Sequence, residues 1–205
     1  HRPYCGLGLR DLLTYVGANL DIQIAVVHRT NYNRRLEAIG CIDELNSIIG
    51  MVLAHEPAAI ISEYLTTIQH DLFDLGGELA MPDYNAIGAQ HTRILEQWLD
   101  ALNQELPHLQ EFILPAGGKA TSCCHLARSV CRRAERRCVS LDREEPLNPA
   151  ILTYLNRLSD LLFVIARTLA RAEGGQEQRR RRLDPAGVHH RGAEEEQDQG
   201  EPHAG

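Results

Sequence analysis

Apolar residues recur every three or four positions through the middle of the chain, from about residue 36 to residue 175. This spacing places one apolar stripe along an α-helix, because a helix repeats every 3.6 residues. Prolines and glycines interrupt the pattern and divide it into five segments. The predicted helices run from about Leu36 to near Pro57, from Ile61 to just before Pro82, and over His91–Glu105, Thr121–Val139 and Pro149–Glu173.

Stripes of this kind are typical of helices that pack at shallow angles in a bundle. We therefore predict an all-α fold, a five-helix bundle over residues 36–176. Residues 1–35 carry little pattern beyond a short alternation at Ile22–Val26 and are expected to be irregular. Residues 177–205 contain almost no apolar side chains and are expected to form a disordered, charged tail.

Composition narrows the class of protein. The chain has 205 residues, of which 43% are hydrophobic, and a net charge of −7, which fits one ordinary domain. No apolar run approaches the roughly 20 residues that cross a bilayer, and no secretory signal is recognisable. The expectation is a cytoplasmic protein without a membrane span.

The six cysteines do not form the paired spacings that zinc sites use. Cys124, Cys131 and Cys138 are seven residues apart, which stacks them on one stripe of the fourth helix. We expect them to be small, reduced core residues, and no metal bound by protein side chains is predicted.

The fourth helix concentrates positive charge. It carries five arginines and one glutamate, a local charge of +4 in an acidic chain. Arg128, Arg132 and Arg136 share one face, and Arg133 and Arg137 form a neighbouring row. Two interpretations stay open at this point: phosphate binding, which suits the guanidinium group, or a row of salt bridges or solvated side chains. Nucleic acid is a weaker alternative, because the ordered region has no other basic excess and no aromatic residues between its basic ones.

Polar residues on two other predicted helices are further candidates. Asn156 and Asp160 lie four residues apart on the fifth helix, and Asp43 lies beside the stripe of the first. Gly117 and Gly118 permit a turn into the fourth helix. A di-iron site is rejected, because the one Glu-x-x-His match contains a proline.

Five segments, in order, resemble the motifs of the PduO-type ATP:corrinoid adenosyltransferases. The resemblance covers about Leu36 to Gln176, roughly two thirds of the chain. The segments are AIGCIDELNSIIG (38–50), IQHDLFDLGGELA (68–80), FILPAGG (112–118), ARSVCRRAER (127–136) and YLNRLSDLLFVIAR (154–167).

The resemblance implies an enzyme that transfers the 5′-deoxyadenosyl group of ATP to the cobalt of cob(I)alamin and releases triphosphate. It implies Mg²⁺ as cofactor and a homotrimer of five-helix bundles with active sites between subunits. A reductase or an adenosylcobalamin-dependent enzyme would be a further partner. Neither a nucleic acid nor a membrane is implied.

The resemblance also implies roles for individual residues. Catalysis would depend on Arg132, Arg136 and Phe112, of which Phe112 displaces the lower axial ligand of cobalt and leaves it four-coordinate. Asp43 and Arg128 would form a pair that bridges subunits and shapes the corrinoid site. ATP would be bound by Arg132, Arg133, Glu135, Arg136, Asn156 and Arg29.

The chain departs from the family pattern at both ends. The family carries a ThrArgThrGlyAsp-type triphosphate segment near its N-terminus, followed by a lysine, whereas residues 1–30 contain only CGLGL at 5–9. The lysine position falls at Asn31, with Arg29 nearby. An altered reading frame, an artificial sequence and real divergence would each give this pattern. The alternative function is a cobalamin-binding or assembly relative that turns ATP over poorly; a helical oligomer without a ligand is a third, weaker possibility.

Overall fold

The computed structural model describes residues 32–81, 83–109 and 113–174, and five α-helices account for most of them. The all-α prediction is confirmed, with boundaries within about three residues of the predicted ones for the last four helices. The strand-like alternation at Ile22–Val26, the predicted C-terminal tail, Arg29 and Phe112 all lie outside the described residues. The helices are α1 (Tyr32–Leu53), α2 (Ala59–Ala80), α3 (Ala89–Gln104), α4 (Lys119–Asp142) and α5 (Pro149–Ala172).

Local sequence explains where α4 and α5 begin and where α5 ends. Gly118 is the N-cap of α4, as the turn at the glycine pair predicts. The Asn148 side chain accepts a hydrogen bond from the backbone N–H of Ala150 at 3.0 Å, and Pro149 occupies the first turn of α5, where its missing N–H costs nothing. Gly174 follows α5 with φ +72°, the left-handed conformation that glycine adopts without strain.

Helix α4 lies between α1 and α5 and runs antiparallel to both. Its thiols show the register against α5: Cys124 donates to the Leu162 carbonyl and Cys131 to the Leu155 carbonyl, both at 3.3 Å. The predicted apolar stripes of α1, α2 and α5 form the core of the bundle. Burial of these stripes is the main source of stability, at roughly 1.5–3 kcal/mol for each large side chain.

The cysteine prediction is confirmed for the stripe on α4. Cys124, Cys131 and Cys138 are all fully buried and unpaired in disulfides. Burial raises the pKa of the Cys138 thiol to about 12 and shifts the pKa values of Cys124 and Cys131 upward as well. These thiols are therefore packing residues, which stay protonated at neutral pH.

The apolar helix α5 bears on the expectation that the chain has no membrane span. Among the described residues it alone is long and apolar enough to cross a membrane by length and composition. The central helix of a bundle has the same length and composition, because its apolar side chains pack against its neighbours, and most of the large apolar side chains of α5 are buried in this way.

Candidate functional site

The arginines of α4 separate into two rows with different surroundings. Arg133 forms an ion pair with Glu44, and Arg137 pairs with Glu37 at 3.3 Å. Both carboxylates belong to α1 and lie seven residues apart, about two helical turns, so the two antiparallel helices bring them level with the two arginines. We call Arg133 and Arg137 the paired row. It matches the salt-bridge interpretation that the sequence left open.

The second row consists of Arg128, Arg132 and Arg136, which we call the open row. Arg132 and Arg136 are exposed, and within the part of the chain that the structure describes neither has an ion-pair partner. Arg128 is half-buried, and its guanidinium carbon lies 5.3 Å from the centre of the Phe163 ring, a cation–π arrangement. The row therefore presents two uncompensated guanidinium groups and one that an aromatic ring holds in place.

A polar pair from α4 and α5 flanks the open row. The amide of Asn156 donates to Glu135 Oε1 at 2.9 Å, and both residues reach the surface. Glu135 lies three residues after Arg132 on α4, a spacing that makes side chains neighbours on a helix surface, so its carboxylate adds negative charge beside the open row. One helical turn beyond Asn156, Asp160 accepts a hydrogen bond from Arg157 at 2.9 Å. The structure thus brings together two of the predicted ATP-binding residues, Glu135 and Asn156.

Asp43 lies on the surface of α1, and partial desolvation raises the pKa of its carboxyl group. Within the described residues of one chain, Asp43 and Arg128 do not form an ion pair with each other. If the two residues pair across a subunit boundary, a single chain would show no ion pair between them. The predicted bridge therefore requires a second copy and stays a prediction.

Sequence reasoning missed several residues that organise this side of the bundle. Phe163 lies in a family motif, but nothing in the sequence pairs it with Arg128, because a contact between two helices has no local sequence signal. The sequence likewise indicates no partner for Arg167, near the end of α5, or for Glu173, which follows it. The one available signal was the glycine pair, since a small residue at Gly118 permits a close approach of another side chain.

The chemistry of the open row is that of an oxyanion site. Exposed guanidinium groups bind phosphate oxygens through pairs of charge-assisted hydrogen bonds, which are about twice as strong as neutral ones. The described residues contain no group of three or more His, Cys, Asp or Glu side chains that would hold a metal ion by themselves. A divalent cation at this site would therefore need other ligands, such as the oxygens of a polyphosphate.

Comparison with known proteins agrees with this chemistry. The sequence profile of a family described as cobalamin adenosyltransferase matches residues 25–169. A cobalamin adenosyltransferase of Cupriavidus metallidurans is 52% identical over 145 residues, which are 70% of this chain and 78% of that protein. A corrinoid adenosyltransferase of Bacillus subtilis is 45% identical over 148 residues, covering 68% of this chain and 76% of the relative.

Solved structures give the same result. A variant of a PduO-type ATP:corrinoid adenosyltransferase from Lactobacillus reuteri, in complex with cobalamin and ATP, is similar with a TM-score of 0.69 at 36% identity. The match covers 73% of this chain and 87% of that one. Another variant of that enzyme, in complex with ATP, also has a TM-score of 0.69, at 37% identity. The chain therefore belongs to the cobalamin adenosyltransferase family, whose PduO-type members adenosylate corrinoids at the expense of ATP.

Proposed function

We propose that this chain transfers the 5′-deoxyadenosyl group of ATP to the cobalt of cob(I)alamin. The electron pair of Co(I) attacks the 5′ carbon, a cobalt–carbon bond forms, and the bond between that carbon and the triphosphate oxygen breaks. Triphosphate leaves with the bonding electrons, and adenosylcobalamin is the other product. The observation that carries the proposal is the open row beside the Glu135–Asn156 pair, on a chain of this family.

Arg132 and Arg136 bind the triphosphate. Negative charge builds on the leaving group as the bond breaks, and guanidinium groups already in place stabilise that charge without reorganisation. Glu135 fixes the amide of Asn156, which contacts the nucleotide. Arg133 stays a proposed ATP ligand, although its ion pair with Glu44 would have to open or be shared when the triphosphate arrives.

The corrinoid side of the site depends on residues that one described chain does not assemble. Phe112 is the proposed aromatic that displaces the lower axial ligand, so that cobalt loses a donor and is reduced more easily. Asp43 and Arg128 pair across a subunit boundary in the proposed homotrimer, and Arg29 is a proposed contact for the triphosphate. The cytoplasm is the proposed location, and a reductase or a cofactor-dependent enzyme is a further proposed partner.

Mg²⁺ is the proposed cofactor, and the residues present fit it in one specific way. Mg²⁺ is usually held by one or two carboxylates together with substrate phosphates rather than by a protein cage. Glu135 is the carboxylate of the proposed ATP site. The oxygens of the triphosphate would provide the other ligands of the ion. When bound, the ion neutralises charge on the triphosphate; the protein's part is to hold Glu135 in position through Asn156.

A second candidate function is a cobalamin-binding relative that turns ATP over poorly. What favours it is the N-terminal sequence: residues 1–30 lack the family's triphosphate segment, and the family profile begins to match only at residue 25. A charge-assisted hydrogen bond contributes about 1.5–3 kcal/mol. Loss of one or two such contacts would weaken ATP binding while leaving the corrinoid face intact.

An anaerobic assay with cob(I)alamin, ATP and Mg²⁺ separates the two candidates. Loss of the cob(I)alamin absorbance, with stoichiometric release of triphosphate, is the result expected of the enzyme. Arg132→Ala should be strongly impaired, and Arg137→Ala, from the paired row of the same helix, is its matched control. Cobalamin binding without turnover would overturn the proposed reaction and favour the second candidate.

A further inference from the structure

Asp160 is a polar residue of α5 that the proposed function leaves without a role. It is exposed, and its carboxylate accepts a hydrogen bond from Arg157 of the same helix at 2.9 Å. Arg157 also forms an ion pair with Glu96 of α3 at 3.2 Å. Exposed ion pairs of this kind contribute little to stability, so they do not by themselves account for a carboxylate at this position.

Two contacts fix how α5 faces the open row of α4. The guanidinium of Arg128 lies over the ring of Phe163, and the carboxylate of Glu135 accepts a hydrogen bond from Asn156. These contacts are seven residues apart on both helices, which is about 10 Å along each axis. The antiparallel helices therefore stay level with each other between the two contacts.

Arg132 and Asp160 occupy the middle of this interval. Arg132 lies four residues after Arg128 on α4. Asp160 lies four residues after Asn156 on α5, so the two lie within about 2 Å of each other along the helix axes. Both also act on the buried thiol of Cys131: burial is the main cause of its raised pKa, and among the smaller causes Arg132 lowers it and Asp160 raises it. The two charged side chains therefore belong to one small region.

The side chains of this middle pair are not joined. Within the described residues Arg132 and Asp160 form no ion pair with each other, although α4 and α5 are in contact on both sides of them. Both are exposed. A guanidinium and a carboxylate that lie level but apart form a site with two halves. The first half binds an anion, and the second accepts hydrogen bonds from neutral hydroxyl or amine groups.

We propose that Asp160 is a specificity-determining residue that accepts a hydrogen bond from a ribose hydroxyl of ATP. This inference rests on the proposed function, in which Arg132 and Arg136 bind the triphosphate and Arg128 lies on the corrinoid side. The ribose connects these two ends of the site, because its 5′ carbon carries the triphosphate and is the atom that cobalt attacks. Asp160 is level with Arg132, the phosphate-binding arginine nearer to Arg128, where the ribose would lie.

The charge of Asp160 selects this part of the nucleotide. A carboxylate repels phosphate groups and offers only hydrogen-bond acceptors. The ribose hydroxyl groups are neutral donors, and a bond from a hydroxyl to a carboxylate is charge-assisted. The open row therefore binds the anionic part of ATP, and Asp160 binds the sugar beside it.

Two analogues that each lack one hydroxyl, 2′-deoxyATP and 3′-deoxyATP, test the proposal. In the anaerobic cob(I)alamin assay the wild type should prefer ATP over at least one of them by about tenfold in kcat/KM, as for loss of one hydrogen bond to a charged group. Asp160→Ala should lower kcat/KM for ATP and reduce the preference to less than about twofold, because the acceptor is absent. Asp160→Asn keeps an oxygen acceptor without the charge, so its preference should be intermediate.

The control variants disturb the ion pairs of Asp160 and keep its carboxylate. Arg157→Gln removes the partner of Asp160, and Glu96→Gln removes the ion pair that joins Arg157 to α3. Both should keep the wild-type preference for ATP over its deoxy analogues. If Arg157→Gln lost the preference as completely as Asp160→Ala, the effect would come from the ion pair and the proposal would be overturned.

A role of Asp160 in binding Mg²⁺ would give a different pattern. Asp160→Ala would then raise the Mg²⁺ concentration needed for half-maximal rate and would affect ATP and both deoxy analogues equally. That result would overturn the proposal. So would a wild type that distinguishes ATP from neither analogue, or a lowered Tm of Asp160→Ala with an unchanged preference.

Failure of the proposed function is distinguishable from failure of this inference. If the wild type shows no turnover, affinities for the three nucleotides in the presence of Mg²⁺, measured by isothermal titration calorimetry, replace the kinetic constants. A preference for ATP that Asp160→Ala loses and Arg157→Gln keeps would support the role of Asp160 without the reaction. Equal affinities for the three nucleotides in the wild type, or no binding of ATP, would overturn it.

Discussion

The two arginine rows of α4 have the same composition and opposite surroundings. The paired row faces α1, where Glu37 and Glu44 neutralise it, whereas the open row has a ring against Arg128 and no ion-pair partner for its other two members within the described chain. Adjacent positions on α4 point about 100° apart around the helix axis, and that difference separates the salt-bridge row from the candidate phosphate site. The lesson is that a run of arginines acquires its role from the helix that packs beside it.

The largest effect on activity is expected from Arg132→Ala, which removes a guanidinium group from the open row. Removing a guanidinium that binds the triphosphate costs about 1.5–3 kcal/mol, which corresponds to a loss of roughly 10- to 150-fold in kcat/KM for ATP. The Tm should stay close to that of the wild type, because Arg132 is exposed and has no ion-pair partner within the described chain. Steady-state kinetics and calorimetry measure the two quantities. A large loss of Tm with unchanged kinetics would contradict the assignment of the open row.

The next largest effect is expected on the association of copies of this chain as the pH changes. Desolvation raises the pKa of Asp43 in the single chain, whereas Arg128 of a neighbouring subunit would lower it. Association should therefore release a proton from Asp43. The association constant should rise with pH through the titration range of the carboxyl group and fall as pH drops through it, by at most about tenfold per pH unit for one proton.

Analytical ultracentrifugation between pH 4 and pH 7 would measure this dependence. Asp43→Asn removes the titrating group, so its association should be weaker and less dependent on pH. Ser47→Ala, one turn further along α1, is a control that keeps Asp43. Identical pH profiles for the wild type and Asp43→Asn would exclude a role for this carboxylate between subunits.

A smaller effect is expected from the polar pair beside the open row. Asn156→Ala removes a hydrogen bond to the Glu135 carboxylate, and bonds to charged groups contribute about 1.5–3 kcal/mol, part of which water replaces at this exposed site. We expect a decrease of roughly fivefold in kcat/KM for ATP. A double-mutant cycle with Glu135→Gln tests whether the two residues act as a unit. Additive effects would mean that Asn156 contacts ATP independently of Glu135.

The smallest effect is predicted for the paired row. Exposed ion pairs contribute about 0–1 kcal/mol, so Glu44→Gln and Arg137→Ala should each change the free energy of unfolding by less than that, and added salt should remove the difference. Urea denaturation at two salt concentrations measures it. Arg133→Ala separates its two proposed roles: a loss of activity as large as that of Arg132→Ala would support Arg133 as an ATP ligand, whereas unchanged activity would leave it only its ion pair with Glu44.

The helices could be predicted from the sequence because the buried face of each one produces a pattern of apolar residues within that helix. An apolar stripe at spacings of three and four residues is a local pattern, and glycine and proline mark the ends by their own backbone preferences. The same holds for the cysteines, whose seven-residue spacing placed them on the buried side of α4. The apolar character of α5 was less informative, because a central bundle helix and a membrane span share it.

For the site, the sequence determined which residue types are present and, through the family motifs, which functions they suggest. It predicted that Asn156 and the open-row arginines bind ATP, which stays a prediction, and the structure places Asn156 in contact with Glu135 of the same helix as those arginines. It could not assign partners to Arg133 or Arg128. An ion pair or a stacked ring joins residues 89 or 35 positions apart, and neither residue carries a local sign of the other.

Only the tertiary structure decided which arginines are neutralised and which are open, because that depends on the rotation of α4 against α1 and α5. It also decided that Glu173 serves the N-terminus of α4 rather than the end of its own helix. The physical reason is the same in both cases. Periodicity fixes the face of a helix on which a side chain lies, whereas charge compensation and hydrogen bonding depend on what the neighbouring helix places against that face.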